Sequence, residues 1–344
     1  MNRRYIFPIV LAIVLLVALI IVFPFPGSDG DQGATPGTTI QSPDGTGNTP
    51  SDSATQPSET EPPITEPPAT EPLPVPEQGT IKATYVFVYN SGTDTMYYSA
   101  GGEDTRIAPA SLTKILTALT ALEVLEEDQI ITVGNEIDLI DPYSSVAYIS
   151  KGQKLRVDML VEALFLPSGN DAAYTLAVAA GRELANNPKL SAQGAKRRFV
   201  EYMNQRAIEM GLTNTHYENP DGIDGEDHYT SMADLIKVAM LAMDNELIRG
   251  YVGKATDTVT FASGQSITWK NTNELLHQGS SYYCADAVGL KTGTTSKAGN
   301  CLVSAFPKDG GYLFIGVLGG GSYYSRFDDT LLLYNLYKDY KPYK

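Results

Sequence analysis

Hydrophobic residues follow three regimes along this chain. Tyr5 to Phe23 is an unbroken run of 19 uncharged, almost wholly apolar residues. Residues 27–79 show no apolar periodicity. From Ile81 onward the pattern is that of a folded domain. Ala83 to Tyr89 predicts a strand closed by an Asn90-Ser91-Gly92 turn, and Met96 to Ser99 a second strand completing a hairpin. Residues 109–122 predict a helix that is apolar almost all round and therefore buried. Residues 157–165 and 170–184 predict two more helices, broken at Leu166-Pro167-Ser168-Gly169. Helical periodicity continues over about 193–210 and 231–249. Strands then return. A hairpin is expected at 258–261 and 266–269 around Gly264, followed by strands at 287–291, 300–306 and 312–318. A last helix is expected over 325–338. Strands at both ends of the domain with helices between them predict an α+β fold: an antiparallel sheet flanked by helices, with the helical stretch forming a second lobe. A cleft between lobes is the natural place for a site.

Charge follows the same division. The 344 residues carry a net charge of −15. Residues 1–26 contribute +2 through Arg3 and Arg4, residues 27–79 contribute −9, and the remainder −8. About 20 apolar residues span a bilayer, and positive charge ahead of the run places the N-terminus in the cytoplasm. Residues 1–26 are therefore expected to be a cytoplasmic N-terminus and transmembrane anchor, leaving the rest of the chain outside a single-pass membrane attachment. A cleaved signal peptide, giving a secreted form, is the competing reading. The sequence Phe23-Pro24-Phe25-Pro26-Gly27 offers no small-x-small cleavage pattern. Residues 27–79 hold 11 of the 21 prolines. Such a segment has too little apolar surface to offset its ordering entropy and is expected to be a disordered, extended Pro/Thr/Glu-rich spacer. The folded domain is assigned to residues 80–344.

The acidic balance argues against nucleic acid as a partner, which needs a basic face. Two cysteines exclude a disulfide scaffold, and three histidines without metal-site spacing give no metal centre. The strands at 287–291 and 300–306 would leave Cys284 several residues beyond the partner of Cys301, so both thiols are expected to be free.

Three short motifs carry chemistry. Ser111-Leu112-Thr113-Lys114 places a hydroxyl and an amine one helical turn apart. Serine needs a base to become a nucleophile, and a lysine buried in an apolar helix loses hydration, which lowers its pKa toward working pH. Ser168-Gly169-Asn170, between two helices, offers a hydroxyl and an amide at fixed geometry; a simple helix cap is the plainer reading. Lys291-Thr292-Gly293-Thr294-Thr295, on a strand, offers a cation, hydroxyls and a glycine that lets another backbone approach. Each alone is weakly informative. Together, in this order and on these elements, they resemble the motif set of β-lactamases and penicillin-binding proteins.

More narrowly, residues 80–340 resemble the serine D-alanyl-D-alanine carboxypeptidases of the S11 peptidase type, which share the β-lactamase/DD-peptidase-like fold. Further matches are Gly211-Leu212-Thr213-Asn214-Thr215, Asn219-Pro220-Asp221-Gly222, His228-Tyr229-Thr230-Ser231 and Asn271-Thr272-Asn273. The resemblance implies Ser111 as the acylated nucleophile and Lys114 as general base. It implies Ser168 in proton transfer, Asn170 orienting Lys114 and the substrate amide, and Lys291 binding the terminal carboxylate. Thr292, Gly293, Thr294 and Thr295 would complete the substrate-binding strand, with the backbone amides of Ser111 and Thr294 as oxyanion hole. The implied substrate is a peptidoglycan stem peptide ending in D-Ala-D-Ala, with β-lactams as covalent inhibitors and no cofactor. The family commonly carries a C-terminal membrane anchor; here the N-terminal segment is expected to replace it. The middle motif has Gly169 where β-lactamases have Asp. A β-lactamase would also need a deacylating base, and Glu201, in the corresponding region, reads as a surface helical residue. A transpeptidase, an endopeptidase and a penicillin sensor without turnover remain the other readings.

Overall fold

Alternate residues of the first strand point to opposite sides, and both sides are apolar. That demands cover on both faces of a sheet. The computed structural model, which describes residues 72–341, supplies it. Strands β1 (Tyr85–Asn90), β2 (Thr95–Ala100), β7 (Leu290–Thr295), β8 (Gly299–Lys308) and β9 (Gly311–Gly320) form one antiparallel sheet in the order β2-β1-β9-β8-β7. Val86 and Val88 face one way, where Leu302, Phe306 and Ile315 join Phe327, Leu333 and Tyr337 of the last helix, α7 (Ser325–Tyr337). Phe87, Val303 and Phe314 face the other way, into the larger core shared with the helices.

Those helices are α1 (Thr113–Leu122), α2 (Val157–Phe165), α3 (Asn170–Leu184), α4 (Ala192–Glu209), α5 (Met232–Asp244) and α6 (Glu246–Val252). Two small ribbons, β3–β4 (Ile130–Thr132 with Lys154–Arg156) and β5–β6 (Thr256–Thr260 with Ser266–Lys270), complete the fold. The α+β segregation expected from the sequence is what the chain adopts. The predicted anchor and residues 27–71 of the predicted spacer lie outside the described residues.

Four local differences have physical causes. The helix expected over 109–122 opens as a 3-10 turn, Ala110–Leu112, so Ser111 stands just ahead of α1. The helix expected over 231–249 is two helices. Asn245 ends the first and caps the second, its side chain accepting from the Ile248 N–H. The strand expected at 287–291 begins at Leu290, because Ala287 is held in a turn by Cys284 and Gly289 has φ +138°. Its whole length, not only its end, carries the Lys-Thr-Gly motif, and it forms an edge of the sheet. Finally, β3 and β4 have three residues each, too few for any periodicity to show.

The chain contacts α7 from Pro74 onward, where the Tyr337 hydroxyl donates to the Pro74 carbonyl at 2.5 Å. The buried Asp329 carboxylate then accepts from the Lys82 N–H at 2.9 Å and the Ala83 N–H at 2.7 Å, fastening the entry into β1. Hydrogen bonds to a buried charged acceptor each contribute about 1.5–3 kcal/mol. Asp329→Ala should therefore lower the unfolding free energy by about 2 kcal/mol or more, read from the shift of the urea midpoint.

Candidate active site

Helix α1 is buried along most of its length, and three of its polar side chains find partners on one neighbouring loop. Lys114 is fully buried. Its Nζ donates to Ser111 Oγ at 2.9 Å and to the Asp221 backbone carbonyl at 2.6 Å. Thr117, one turn on, donates to the Pro220 carbonyl at 2.7 Å. Thr113 meets His228 Nε2 at 2.9 Å. The loop after Pro220 is thus tied to α1 at three side chains. Gly222 makes the close approach feasible: at φ +93°, a Cβ there would lie 1.9 Å from the Ala110 carbonyl oxygen. The strand carrying Lys291 approaches from the other side. A Cβ on Gly293 would come within 3.0 Å of the Ser111 nitrogen, so glycine lets β7 run alongside the nucleophile's backbone. Ala110 and Ser168, both adjoining the site, adopt left-handed backbone at φ +49° and +60°. Such conformations concentrate where a side chain must be held in a set direction.

The nine residues expected at the site converge on one region. Their pairings differ from those expected. Ser168 Oγ accepts from Lys291 Nζ at 2.8 Å. Lys291 also donates to the Thr292 carbonyl and is buried. The Asn170 amide donates to the Asp221 carboxylate at 2.6 Å, and the Asp221 backbone carbonyl accepts from Lys114. Thr292 Oγ1 lies 2.5 Å from Thr272 Oγ1. Thr295 Oγ1 donates to Asp224 at 2.6 Å. A cleft of about 340 Å³ opens over this arrangement, with Ser111, Asn170, Asp221, Thr294 and Thr295 in its lining. Glu201 is an exposed residue of α4, near Arg198.

Burial sets the protonation of the two lysines. Lys114 is lowered to about 8 by desolvation, with the nearby Asp221 and Asp171 pulling the other way. Lys291 is lowered well below its ordinary value by desolvation, and then by the positive charges of Lys114 and Arg326. Desolvation also raises the buried Asp221 carboxyl.

Two contributors escaped sequence reasoning, and a third, Asp221, receives no role from it although its Asn-Pro-Asp-Gly stretch is among the family matches. Arg326 lies 35 positions beyond Lys291 on α7, buried, and donates to the Gly293 carbonyl, the Thr294 hydroxyl and the Cys301 carbonyl. No local pattern links it to the motif strand. Tyr143, on the cleft rim, lies in a stretch without periodicity. Cys284 and Cys301 are free thiols, as the strand register required.

With this geometry in view, comparisons with known proteins place the chain. A family profile described as D-alanyl-D-alanine carboxypeptidase, peptidase S11, matches residues 73–321. A D-alanyl-D-alanine carboxypeptidase of Streptomyces sp. (strain K15) is 36% identical over 267 residues, covering 74% of this chain and 87% of that protein. The D-alanyl-D-alanine carboxypeptidase DacF of Bacillus subtilis is 30% identical over 221 residues, covering 63% of this chain and 52% of that protein. The chain thus spans about half the length of that relative. Among solved structures, the Streptomyces K15 DD-transpeptidase superposes with a TM-score of 0.67 at 34% identity, covering 74% of this chain and 97% of that one. Penicillin-binding protein D2 from Listeria monocytogenes, in its cefotaxime-bound form, gives 0.60 at 26%, with the same coverages. The fold and site define a DD-peptidase-type serine hydrolase. The chain belongs to the S11 D-alanyl-D-alanine carboxypeptidase family.

One site-supporting group has a clear pH signature. His228 Nδ1 accepts from the Glu218 N–H at 3.1 Å, which leaves Nε2–H to donate to Thr113. The ring is therefore held neutral, and burial lowers its pKa from 6.5 to about 4. The unfolded state takes up this proton first as pH falls, so stability is lost between pH 6.5 and 4, by up to about 3 kcal/mol. Denaturant midpoints for wild type should fall more steeply over that interval than those for His228→Gln.

Proposed function

We propose that this chain is a membrane-tethered serine D-alanyl-D-alanine carboxypeptidase acting on peptidoglycan stem peptides outside the cell. The observation that carries the reading is the fully buried Lys114 amine 2.9 Å from the Ser111 hydroxyl. A lysine whose pKa is brought to about 8 is partly unprotonated near neutrality and can accept the serine proton. Ser111 Oγ attacks the carbonyl carbon of the penultimate D-Ala while its proton passes to Lys114. The C–N bond breaks as the proton taken by Lys114 passes to the departing D-Ala amine, with the Ser168 hydroxyl assisting the transfer. Water then adds to the ester carbonyl while Lys114 takes its proton, and as the bond to Ser111 breaks that proton returns to Ser111 Oγ. The backbone amides of Ser111 and Thr294 are the donors for the oxygen that becomes negative.

The substrate's terminal carboxylate is met by the hydroxyl-bearing edge of β7. Lys291 is buried behind Ser168 and lacks an anionic partner among its hydrogen bonds, so a carboxylate arriving at the strand supplies the charge that favours its protonated form. Arg326 supports the same wall through Thr294. A β-lactam enters by the same attack, but its leaving group stays attached. The apolar run Tyr5–Phe23 supports an N-terminal anchor, and the acidic, proline-rich stretch after it supports a spacer that holds the domain away from the bilayer.

Transpeptidation is the second reading, because the superposing Streptomyces structure is titled a DD-transpeptidase. It differs only in the acceptor, an amine in place of water.

Incubation with a pentapeptide ending in D-Ala-D-Ala should release D-Ala, and Ser111→Ala should reduce release by at least about a thousandfold. Undiminished release by the variant would sink the mechanism. An added amino-acid acceptor separates hydrolysed from transferred product. The acylation rate by a penicillin should rise with pH through about 8, because the amine form of Lys114 exists above that value and the ammonium below it. A rate flat from pH 6.5 to 9.5 would remove Lys114 as the base.

A further inference from the structure

The loop from Asp141 to Ile149 has no regular structure, yet its backbone is tied to the catalytic framework at every few residues. Asp141 and Ser144 close a turn with Pro142 at its second position, the Ser144 N–H donating to the Asp141 carbonyl at 3.1 Å. The Asp141 carboxylate accepts from the Tyr143 N–H at 2.8 Å. The Ser145 carbonyl accepts from the N–H of Asn170, itself a site residue, at 2.8 Å. The buried Asp171 carboxylate accepts from the N–H groups of Ala147 and Ile149. The indole of the buried Trp269, on β6, donates to the Ala147 carbonyl at 2.9 Å. A segment held this way is a fixed wall. Of its two exposed tyrosines, Tyr143 and Tyr148, Tyr143 lines the cleft and is 97% exposed. The ring contributes nothing to the core, and the turn that carries it leads directly into Ser145, whose carbonyl accepts from the first residue of α3.

The opposite wall of the cleft is the outer end of β7, Thr294 and Thr295. An extended peptide added antiparallel to that edge strand would place its C-terminus toward Lys291 and its upstream residues toward Thr295 and Ser296. The side chain of the residue preceding D-Ala-D-Ala then enters the open part of the cleft, where Tyr143 stands. Resting on the functional reading above, we propose that Tyr143 is a specificity-determining residue whose ring packs against the long aliphatic side chain of the stem-peptide residue preceding D-Ala-D-Ala. An aromatic face is suited to that contact: it is rigid, has few torsions to order, and covers methylene groups without needing a charge partner.

The test compares two peptides on the full chain: N-acetyl-D-Ala-D-Ala, which lacks that residue, and diacetyl-L-Lys-D-Ala-D-Ala, which has it. Tyr143→Ala should lower kcat/KM for the lysine-containing peptide by roughly tenfold, leave the short peptide within about twofold, and thereby erase most of wild type's preference. Tyr143→Phe should keep wild-type values on both, because the contact is made by the ring face. Equal loss on both peptides, or an unchanged preference in Tyr143→Ala, overturns the proposal. Wild type that releases D-Ala from neither peptide overturns the functional reading instead. In that case, relative acylation rates by 6-aminopenicillanic acid and benzylpenicillin, which differ only in the acyl side chain, still decide: a ratio unaltered in Tyr143→Ala removes Tyr143 from side-chain recognition.

Discussion

An amine with no access to water, placed within hydrogen-bond reach of a serine hydroxyl, is the constraint on which the domain's arrangement depends. Lys114 can be buried only if its donors are met, and they are met by Ser111 and by the Asp221 backbone. That second bond requires the loop after Pro220 to lie against α1. The close approach in turn requires Gly222, and Thr117 and His228 hold the loop in place. The helical lobe, the loop and the sheet edge therefore share the burial of one charge-bearing side chain. Burial also does chemical work, since desolvation is what brings the lysine into the range where it can accept a proton.

The second lysine obeys the same physics with another outcome. Lys291 is buried between Ser168 and its own strand, with Lys114 and Arg326 close enough to disfavour its charge. Two buried lysines and an arginine stand around one cleft. The buried Asp221 carboxyl, bound to Asn170, offsets part of this positive charge beside Lys114.

Much of the framework was legible because it depends on short-range regularities. The boundaries of α2 and α3 followed from periodicity broken at Leu166-Pro167-Ser168-Gly169, and the central strands from apolar runs between turn residues. The three motifs were legible because each is a few residues long and sits on one element. Residues acting across the fold were not. Arg326 reaches Gly293 and Thr294 from a helix on the far side of the sheet, and its local surroundings resemble any amphipathic helix start. Tyr143 and its bracing partners Asp171 and Trp269 are joined through backbone groups, which have no signature in side-chain pattern.

The amino-acid sequence by itself determined the segregation of strands and helices, the apolar N-terminal run and acidic spacer composition, and the three short motifs on their elements. These follow from composition, periodicity and motif spacing, all read over a few residues to a few turns. Only the tertiary structure decided who pairs with whom. It gave Ser168 to Lys291, Asn170 to Asp221 and Lys114 to a backbone carbonyl. The physical reason is that a hydrogen bond depends on distances of about 3 Å between groups tens to hundreds of positions apart. Such distances are set by how two lobes close on a shared core, not by anything a local pattern encodes.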